Sequence, residues 1–230
     1  MFSNVFLALT GGEIAEPLPE RVAYMALHFS PYSAGLSNAP RVLPSGSILL
    51  LDDSMPAENH DPQTVVDQLK QLIDQFSSHG ILLDFQRPKT KESECMVSYI
   101  LEALPCPVAV TESYATVLSS PVFLSPPPVN KALEDHLKPW LAQGIYLEIA
   151  PDALEITVTQ TESIARQIPP VKTLPLEDKR LHCHYNVEVL SHKAVFTMGR
   201  HPEDLPALVA EAEQLGVLGC VGLYKELQPI

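Results

Sequence analysis

The sequence predicts an α/β protein whose strands close into a compact barrel, and three observations support this fold class. Eight short apolar runs recur along the chain and end in polar, proline or glycine residues, as buried parallel strands do. Amphipathic segments with helical spacing lie between several of these runs. The chain has 230 residues, a length that one such barrel uses. We therefore expect a single TIM-type (β/α)8 barrel domain over residues 1–230, with some helices reduced to loops because this length is short for the fold.

The expected barrel strands follow the apolar runs in chain order. They are residues 5–10, 22–29, 48–51, 81–85, 107–110, 121–124, 145–149 and 219–224. The clearest helix spans residues 62–78, where apolar residues recur at three- and four-residue intervals behind an Asp61-Pro62 start. Further helices are expected over residues 92–104, 130–143 and 202–215. Alternation of strand and helix favours a parallel sheet with right-handed crossovers.

One stretch breaks this alternation. Between residues 153 and 196 the segments LEITVTQ, LHCHYNVEV and KAVFTM alternate polar and apolar residues with a period of two. This pattern is typical of antiparallel strands with one buried face. We expect residues 153–196 to form a small antiparallel β insertion in the C-terminal third of the barrel.

Charge and cysteine content exclude several classes of function. Lys and Arg total 15 against 28 Asp and Glu, and this net charge of −13 disfavours nucleic acid and anionic membranes as partners. The four cysteines form no CxxC pair, so neither a disulfide framework nor a zinc knuckle is indicated. The first residues lack the basic start of a signal peptide, which predicts a cytoplasmic protein, or a secreted one if a signal peptide has been removed.

Polar residues close most of the predicted strands. In a parallel barrel the functional groups gather at the carboxyl ends of the strands, so these residues are the candidates for a site. They are Thr10, His28, Ser30, Asp52, Asp53, Asp84, Gln86, Glu112, Ser125, Glu148, Tyr224, Lys225 and Glu226. Of the neighbours Asp52 and Asp53, only one can face inward, so one site residue and one loop cap are expected.

Metal and nucleotide sites are not predicted. His182 and His184 lie on one face of a predicted strand with metal-compatible spacing, but a solvated strand face is the simpler interpretation. No glycine-rich phosphate-binding motif and no G-x-S-x-G nucleophile motif occurs. We therefore expect neither a cofactor nor a bound metal.

The segment HGILLDFQRP, residues 79–88, resembles the fourth strand of family 18 glycoside hydrolases, the chitinase-like proteins, which reads D-G-x-D-x-D-W-E-Y-P. Gly80, Asp84 and Pro88 match that pattern, Phe85 supplies an aromatic residue, and Gln86 occupies the position of the catalytic glutamate. The segment GVLGCVGLYKEL near the chain end is similar to the family's eighth strand. No counterpart of the family's third-strand S-x-G-G or sixth-strand M-x-Y-D is present.

Substrate-assisted chemistry is what this resemblance implies. In the family the glutamate protonates the glycosidic oxygen and the aspartate two residues earlier orients the N-acetyl group. A glutamine has no proton to deliver, but its amide can bind a sugar. We expect a barrel that binds N-acetylglucosamine-type glycans and is weakly active or inactive. The expected catalytic positions are Asp84, Gln86 and Glu112, with Glu112 and Asp53 as the candidates for a replacement acid. The expected substrate-binding residues are Asp53, Tyr32, Phe85 and Tyr224, with Tyr224 at the family's sugar-floor tryptophan.

Two other classes of function stay open. A different barrel enzyme would use Asp53, Asp84 and Glu112 as acid–base or metal groups. A non-catalytic interaction protein would have its barrel mouth closed by the proline-rich loops. An open groove lined by Tyr32, Phe85 and Tyr224 would instead favour the sugar-binding hypothesis, because fold alone decides none of these.

Overall fold

A computed structural model describes residues 5–13, 17–115 and 120–227. The strands are β1 (Val5–Leu9), β2 (Val22–Phe29), β3 (Leu36–Ser37), β4 (Ile48–Asp52), β5 (Gly80–Asp84), β6 (Val108–Thr111), β7 (Val122–Leu124), β8 (Ile145–Glu148), β9 (Asp152–Thr159), β10 (Ser163–Gln167), β11 (Leu176–Asp178), β12 (Cys183–Val189), β13 (Lys193–Arg200) and β14 (Gly219–Leu223). The helices are α1 (Pro62–Phe76), α2 (Lys91–Ala103), α3 (Leu133–Leu137), α4 (Leu205–Gln214) and α5 (Tyr224–Leu227). Among the described residues, no helix is both long and apolar enough to cross a membrane.

Eight of these strands close into a parallel barrel. Their order around the barrel is β1, β2, β4, β5, β6, β7, β8 and β14, and β1 pairs in parallel with both β14 and β2 to close the ring. Each falls on one of the eight predicted apolar runs, with ends that differ by one residue at most. The predicted TIM-type barrel is therefore confirmed.

The side chains inside the barrel form a core of their own. This cluster combines small residues such as Ala8, Ala23 and Ala109 with large ones such as Phe123 and Tyr146. A barrel of eight strands is just wide enough for side chains to fill it, so large and small residues must share the space. The opposite faces of the same strands pack against the helices in two further buried clusters.

The local sequence determines where helix α1 begins and ends and which face it buries. Asp61 accepts a hydrogen bond from the backbone N–H of Thr64 at 2.9 Å, and Pro62 occupies the first turn, where its missing N–H costs nothing. The helix ends at Ser77, whose φ of 47° is left-handed. Its apolar face is buried on the barrel through Val65, Val66, Leu69, Leu72, Ile73 and Phe76.

Helix α3 is shorter than predicted. The sequence pattern suggested a helix over residues 130–143, whereas the regular helix covers only Leu133–Leu137. Pro139 explains the early end, because proline has no N–H to donate to the carbonyl four residues earlier, although Lys138 before it still has helical backbone. Turns carry the chain from there to Gly144, whose φ of 84° is left-handed.

The predicted antiparallel insertion is also confirmed. Five strands in the order β10, β9, β13, β12 and β11 form a second sheet between β8 and α4. It runs from Asp152 to Arg200, a few residues longer than the predicted 153–196. Arg200 is buried and donates to the carbonyl of Pro127 at 2.7 Å and to that of Leu181 at 3.0 Å. This guanidinium therefore ties the end of the insertion to the loop after β7.

Candidate functional site

Three carboxyl groups lie at the carboxyl end of the barrel interior. On β4, β5 and β8, the residue two positions before the strand end belongs to the interior cluster. Because side chains two apart on a strand share a face, the last residues of these strands, Asp52, Asp84 and Glu148, also face inward. All three are half-buried, and Asp52 and Asp84 are register partners. The mouth of the barrel is thus acidic.

Asp84 lies at the centre of this arrangement. The side-chain amide of Gln86, which is exposed just beyond the end of β5, donates to its Oδ1 at 2.6 Å. Burial raises the pKa of Asp84, and the negative charges of Asp52 and Asp53 act in the same direction, while the Gln86 hydrogen bond opposes them. The Asp84 carboxyl is therefore harder to ionise than an exposed aspartate.

Among the carboxyl groups at the mouth, Glu148 has the largest shift in pKa. Burial raises its pKa to about 7, and the charges of Asp84 and Glu226 contribute to the shift. Partial burial also raises the pKa of Glu226, which lies in α5 directly after β14. Near neutral pH Glu148 is present in both its protonated and its ionised form, which is the state that a general acid or base needs.

Asp53 has a different place from Asp52. Its carboxylate is buried, 5% exposed, and accepts the backbone N–H of Gln86 at 2.8 Å and that of Arg87 at 3.0 Å. Asp53 therefore caps the loop that follows β5. Of the two consecutive aspartates, Asp52 is the one that faces the barrel interior, as expected of one site residue and one loop cap.

The aromatic residues expected at the mouth lie in three different environments. Tyr32 is 95% exposed in the loop after β2, and Tyr224 is half-buried at the start of α5. Phe85 is 1% exposed and packs edge to face against Phe29 and Tyr114 in the core outside the barrel. Strand alternation explains this, because Phe85 directly follows the inward Asp84 and so takes the opposite face.

Glu112 lies in the turn that follows β6, with its side chain exposed to solvent. The neighbouring Thr111 is buried, and its hydroxyl donates to the carbonyl of Phe85 at 3.0 Å. The residues expected to act with Asp84 in a different enzyme, Asp53 and Glu112, thus occupy a buried loop cap and an exposed turn.

A cleft of about 400 Å³ lies beside the mouth. It is lined by the loops after β7 and β8 and by the first strands of the insertion, among them Ser125, Pro128, Ala150, Asp152 and Gln167. The Gln167 amide donates to Asp152 Oδ1 at 3.0 Å. Since Ala150 is two residues from Glu148, the cleft continues the carboxyl end of the barrel toward the insertion.

One group of side chains has the composition of a metal site. In the described part of the chain, His184, His201 and Asp204 each place one ligand atom within 4.8 Å of the other two. His182, which the sequence pattern paired with His184, instead lies against Glu211. The group is located where the insertion returns to the barrel at the start of α4.

The fold is similar to the barrels of several chitinases and chitinase-like proteins. A chitinase-like agglutinin from Robinia pseudoacacia matches with a TM-score of 0.58 at 12% identity, over 97% of this chain and 95% of that one. A family 18 chitinase from Cycas revoluta, solved in complex with (GlcNAc)3, has a TM-score of 0.54 at 12% identity, over 97% and 96%. The spore cortex-lytic enzyme SleL from Bacillus cereus has a TM-score of 0.56 at 8% identity, over 98% and 71%.

These similarities confirm the barrel fold that the fourth-strand motif suggested. Identities of 8–12% establish the fold alone. The sequence matches no protein-family model and no curated protein sequence.

Sequence reasoning did not single out Glu148 and Glu226 beyond their place at strand ends. The sequence did contain one signal for Glu148. Side chains alternate along a strand with a period of two, so Glu148 lies on the same face as Tyr146 of the barrel interior. Its burial and its proximity to Asp84 depend on contacts between strands far apart in sequence, which the local pattern does not contain.

Proposed function

We propose that the barrel mouth binds N-acetylglucosamine-containing glycans and that hydrolysis by the chitinase route is lost. The observation that carries this proposal is the Asp84–Gln86 pair, hydrogen-bonded at 2.6 Å at the carboxyl end of the fourth barrel strand. The chitinase fold supports the comparison of this strand with the catalytic strand of those enzymes.

The chemistry of the pair explains the division between binding and hydrolysis. Asp84 retains the carboxyl that would orient an N-acetyl group, while Gln86 offers an amide in place of an acid. An amide donates and accepts hydrogen bonds but transfers no proton to a leaving oxygen. Glycan affinity is therefore expected to persist without the acid catalysis that cleavage by this route requires.

The cleft beside the mouth supplies further polar partners for a sugar chain. Ser125, Asp152 and Gln167 present hydroxyl, carboxylate and amide groups around an otherwise apolar surface that contains several prolines. Few oriented polar groups on an apolar wall are typical of small-ligand sites. We expect an oligosaccharide to extend from Asp84 past Glu148 into this cleft.

Calorimetric titration with chitohexaose tests the proposal, with cellohexaose as the matched ligand that lacks N-acetyl groups. We expect saturable binding of chitohexaose, weaker binding of cellohexaose, and loss of most of the affinity in Asp84→Ala. Asp74→Ala, which alters an exposed aspartate of α1, is the control variant and should bind as the wild type does. No heat from either ligand would reject the sugar site and favour the interaction-protein hypothesis.

A second candidate function follows from Glu148. A carboxyl with a pKa of about 7 beside Asp84 has the properties of a general acid, so a glycosidase or another acid–base enzyme would use Glu148 in place of the missing glutamate. Slow turnover of a chromogenic N-acetylglucosaminide by the wild type, abolished in Glu148→Gln, would support this candidate. Turnover that persists in Glu148→Gln but disappears in Glu112→Gln would instead support the acid expected from the sequence.

A further inference from the structure

His184, His201 and Asp204 meet where the β insertion rejoins the barrel. His184 lies on β12, His201 follows β13, and Asp204 is the N-cap residue of α4. The two imidazole rings stack with centroids 5.3 Å apart and an interplanar angle of 22°. His184 Nδ1 is 3.2 Å from both carboxylate oxygens of Asp204. The cluster thus joins three separate segments through nitrogen and oxygen ligand atoms.

The orientation of His201 is fixed from outside the cluster. Its Nε2 lies 2.6 Å from the carbonyl oxygen of Val171, which can only accept, so Nε2 carries a proton. The lone pair of a neutral His201 is therefore on Nδ1, which faces Asp204 at 3.9 Å and Glu203 at 3.7 Å. Metal-binding histidines are commonly oriented in this way, by a hydrogen bond from the second ring nitrogen to a carbonyl.

Asp204 also keeps one oxygen available. Its Oδ2 accepts the backbone N–H of His201 at 2.8 Å, and among the described residues the ion-pair partner of Oδ1 is His184 Nδ1, at 3.2 Å. The side chains of His201 and Asp204 are each 11% exposed and that of His184 is 28% exposed. An ion can therefore reach the cluster from solvent, while the surrounding protein restricts the ligand positions.

We propose that His184, His201 and Asp204 bind a divalent transition-metal ion, with zinc as the occupant. Two imidazole nitrogens and one carboxylate oxygen are a ligand set that zinc accepts. Tetrahedral zinc with bonds of about 2.0–2.1 Å separates its ligand atoms by roughly 3.3 Å, so small side-chain rotations bring the cluster into place. The fourth position is taken by water or by Glu203, whose side chain is 71% exposed and free to turn.

Neighbouring groups limit the ligand set to these residues. Cys183 is buried and directly precedes His184 on β12, so its side chain faces the opposite side of the strand from the cluster. His182 lies against Glu211. The Arg200 guanidinium is held by the carbonyls of Pro127 and Leu181, and its positive charge offsets part of the negative charge around Asp204.

Zinc at this position would fasten the insertion to the barrel. The ligands connect β12 to the start of α4, and the insertion carries Asp152 and Gln167 into the cleft beside the mouth. Loss of the ion is expected to loosen the insertion without unfolding the barrel, since the barrel strands close on their own hydrogen bonds. The site is independent of the proposed glycan function.

The test uses the full chain after removal of metal with a chelator. Zinc is titrated calorimetrically into the wild type, His184→Gln, His201→Gln and the control His192→Gln, which alters an exposed histidine between β12 and β13. We expect one zinc per chain in the wild type and in the control. The affinity should fall at least tenfold in the other two variants, since even outer-shell changes cost about 10–100-fold. Zinc should also raise the melting temperature of the wild type and not that of His184→Gln.

Cobalt substitution tests the ligand set without any mutation, so a poorly folding variant does not block the test. A tetrahedral cobalt spectrum without a thiolate charge-transfer band is expected from imidazole and carboxylate ligands. A thiolate band, zinc affinity unchanged in His184→Gln and His201→Gln, or no zinc binding by the wild type would each overturn the proposal.

Discussion

The carboxylate of Asp53 accepts the backbone N–H of Gln86 at 2.8 Å, which connects the end of the third barrel strand to the loop after the fourth. The same carboxylate accepts the N–H of Arg87 at 3.0 Å. Because a buried carboxylate must be hydrogen-bonded, these two donors also explain why the charge is tolerated at this position. Asp53 thereby fixes the backbone from which Gln86 reaches Asp84.

Asp53→Ala is therefore expected to destabilise the protein by about 2–3 kcal/mol, since two backbone donors lose a charged acceptor in a buried place. Urea unfolding monitored by circular dichroism measures the change. Asp74→Ala, at an exposed site on α1, should cost little. Equal stability of the two variants would show that the loop after β5 does not depend on Asp53.

Gln86→Glu should introduce hydrolysis of a chromogenic N-acetylglucosaminide. The new carboxyl would stand beside Asp84, where two acids at the 2.6 Å separation of the present hydrogen bond share a proton and one pKa rises. General acid catalysis is typically worth about 10²–10⁴-fold, so a gain in that range over the wild type is expected.

Adding Asp84→Asn to Gln86→Glu is the control, and it should remove most of the gained activity. An unchanged rate in Gln86→Glu, combined with chitohexaose binding, would mean that glycans bind in a position from which residue 86 does not reach the scissile bond. An unchanged rate without binding would remove the basis of the sugar hypothesis.

Glu148 should make stability depend on pH. Its pKa is about 7 in the folded protein against an ordinary value of 4.5, so the folded state holds more protons than the unfolded state between these values. The contribution of Glu148 to the free energy of unfolding is therefore fully present below pH 4.5 and is lost as the pH rises through about 7. The loss attributable to Glu148 is about 3 kcal/mol.

Urea unfolding at pH 5 and pH 8 measures this dependence in the wild type and in Glu148→Gln. The variant should lose most of the difference, and the remaining slope belongs to Asp84, whose pKa burial also raises. Glu112→Gln, at an exposed glutamate, should keep the wild-type dependence. A wild-type stability equal at the two pH values would contradict the raised pKa of Glu148.

Gly222→Ala should disturb the mouth from the side of β14. A Cβ at this position would lie 2.9 Å from the carbonyl oxygen of Ile149 and 2.5 Å from a methyl group of Leu227. Because the carbonyl belongs to the backbone after β8, the strand must shift, at a cost of about 1–3 kcal/mol. Gly12→Ala, where a Cβ meets no atom within 4 Å, is the matched control for melting temperature. Equal melting temperatures would show that the β8–β14 contact yields easily.

The strand and helix pattern was predictable because it rests on local periodicity. Each apolar run became a barrel strand, since a strand buried on both faces reads as a continuous apolar segment. The Asp61-Pro62 signal located the start of α1, and the period of two located the insertion. Helix α3 is shorter than the predicted 130–143 because Pro139 interrupts the helical hydrogen bonding.

The site was less predictable because it depends on distances between strands. Alternation along β5 placed Asp84 on the inward face of the strand, and the structure places the next residue, Phe85, in the core, where it is 1% exposed. Whether Asp52 or Asp53 faced inward required the exact end of β4. His184 and Asp204 are separated by a whole strand and a turn, so no local sequence motif indicates that they are in contact.

The pairing of β1 with β14, with Val5 opposite Cys220, has a consequence for how the protein folds. The ring cannot close until the last strand has been synthesised, so β1 waits with one edge unpaired while the rest of the sheet forms. Closing a contact between such distant residues is slow, and open edges during that wait invite association with other chains. We expect refolding in vitro to be slow and its yield to fall as protein concentration rises. A chain truncated before β14 should aggregate rather than form a smaller barrel.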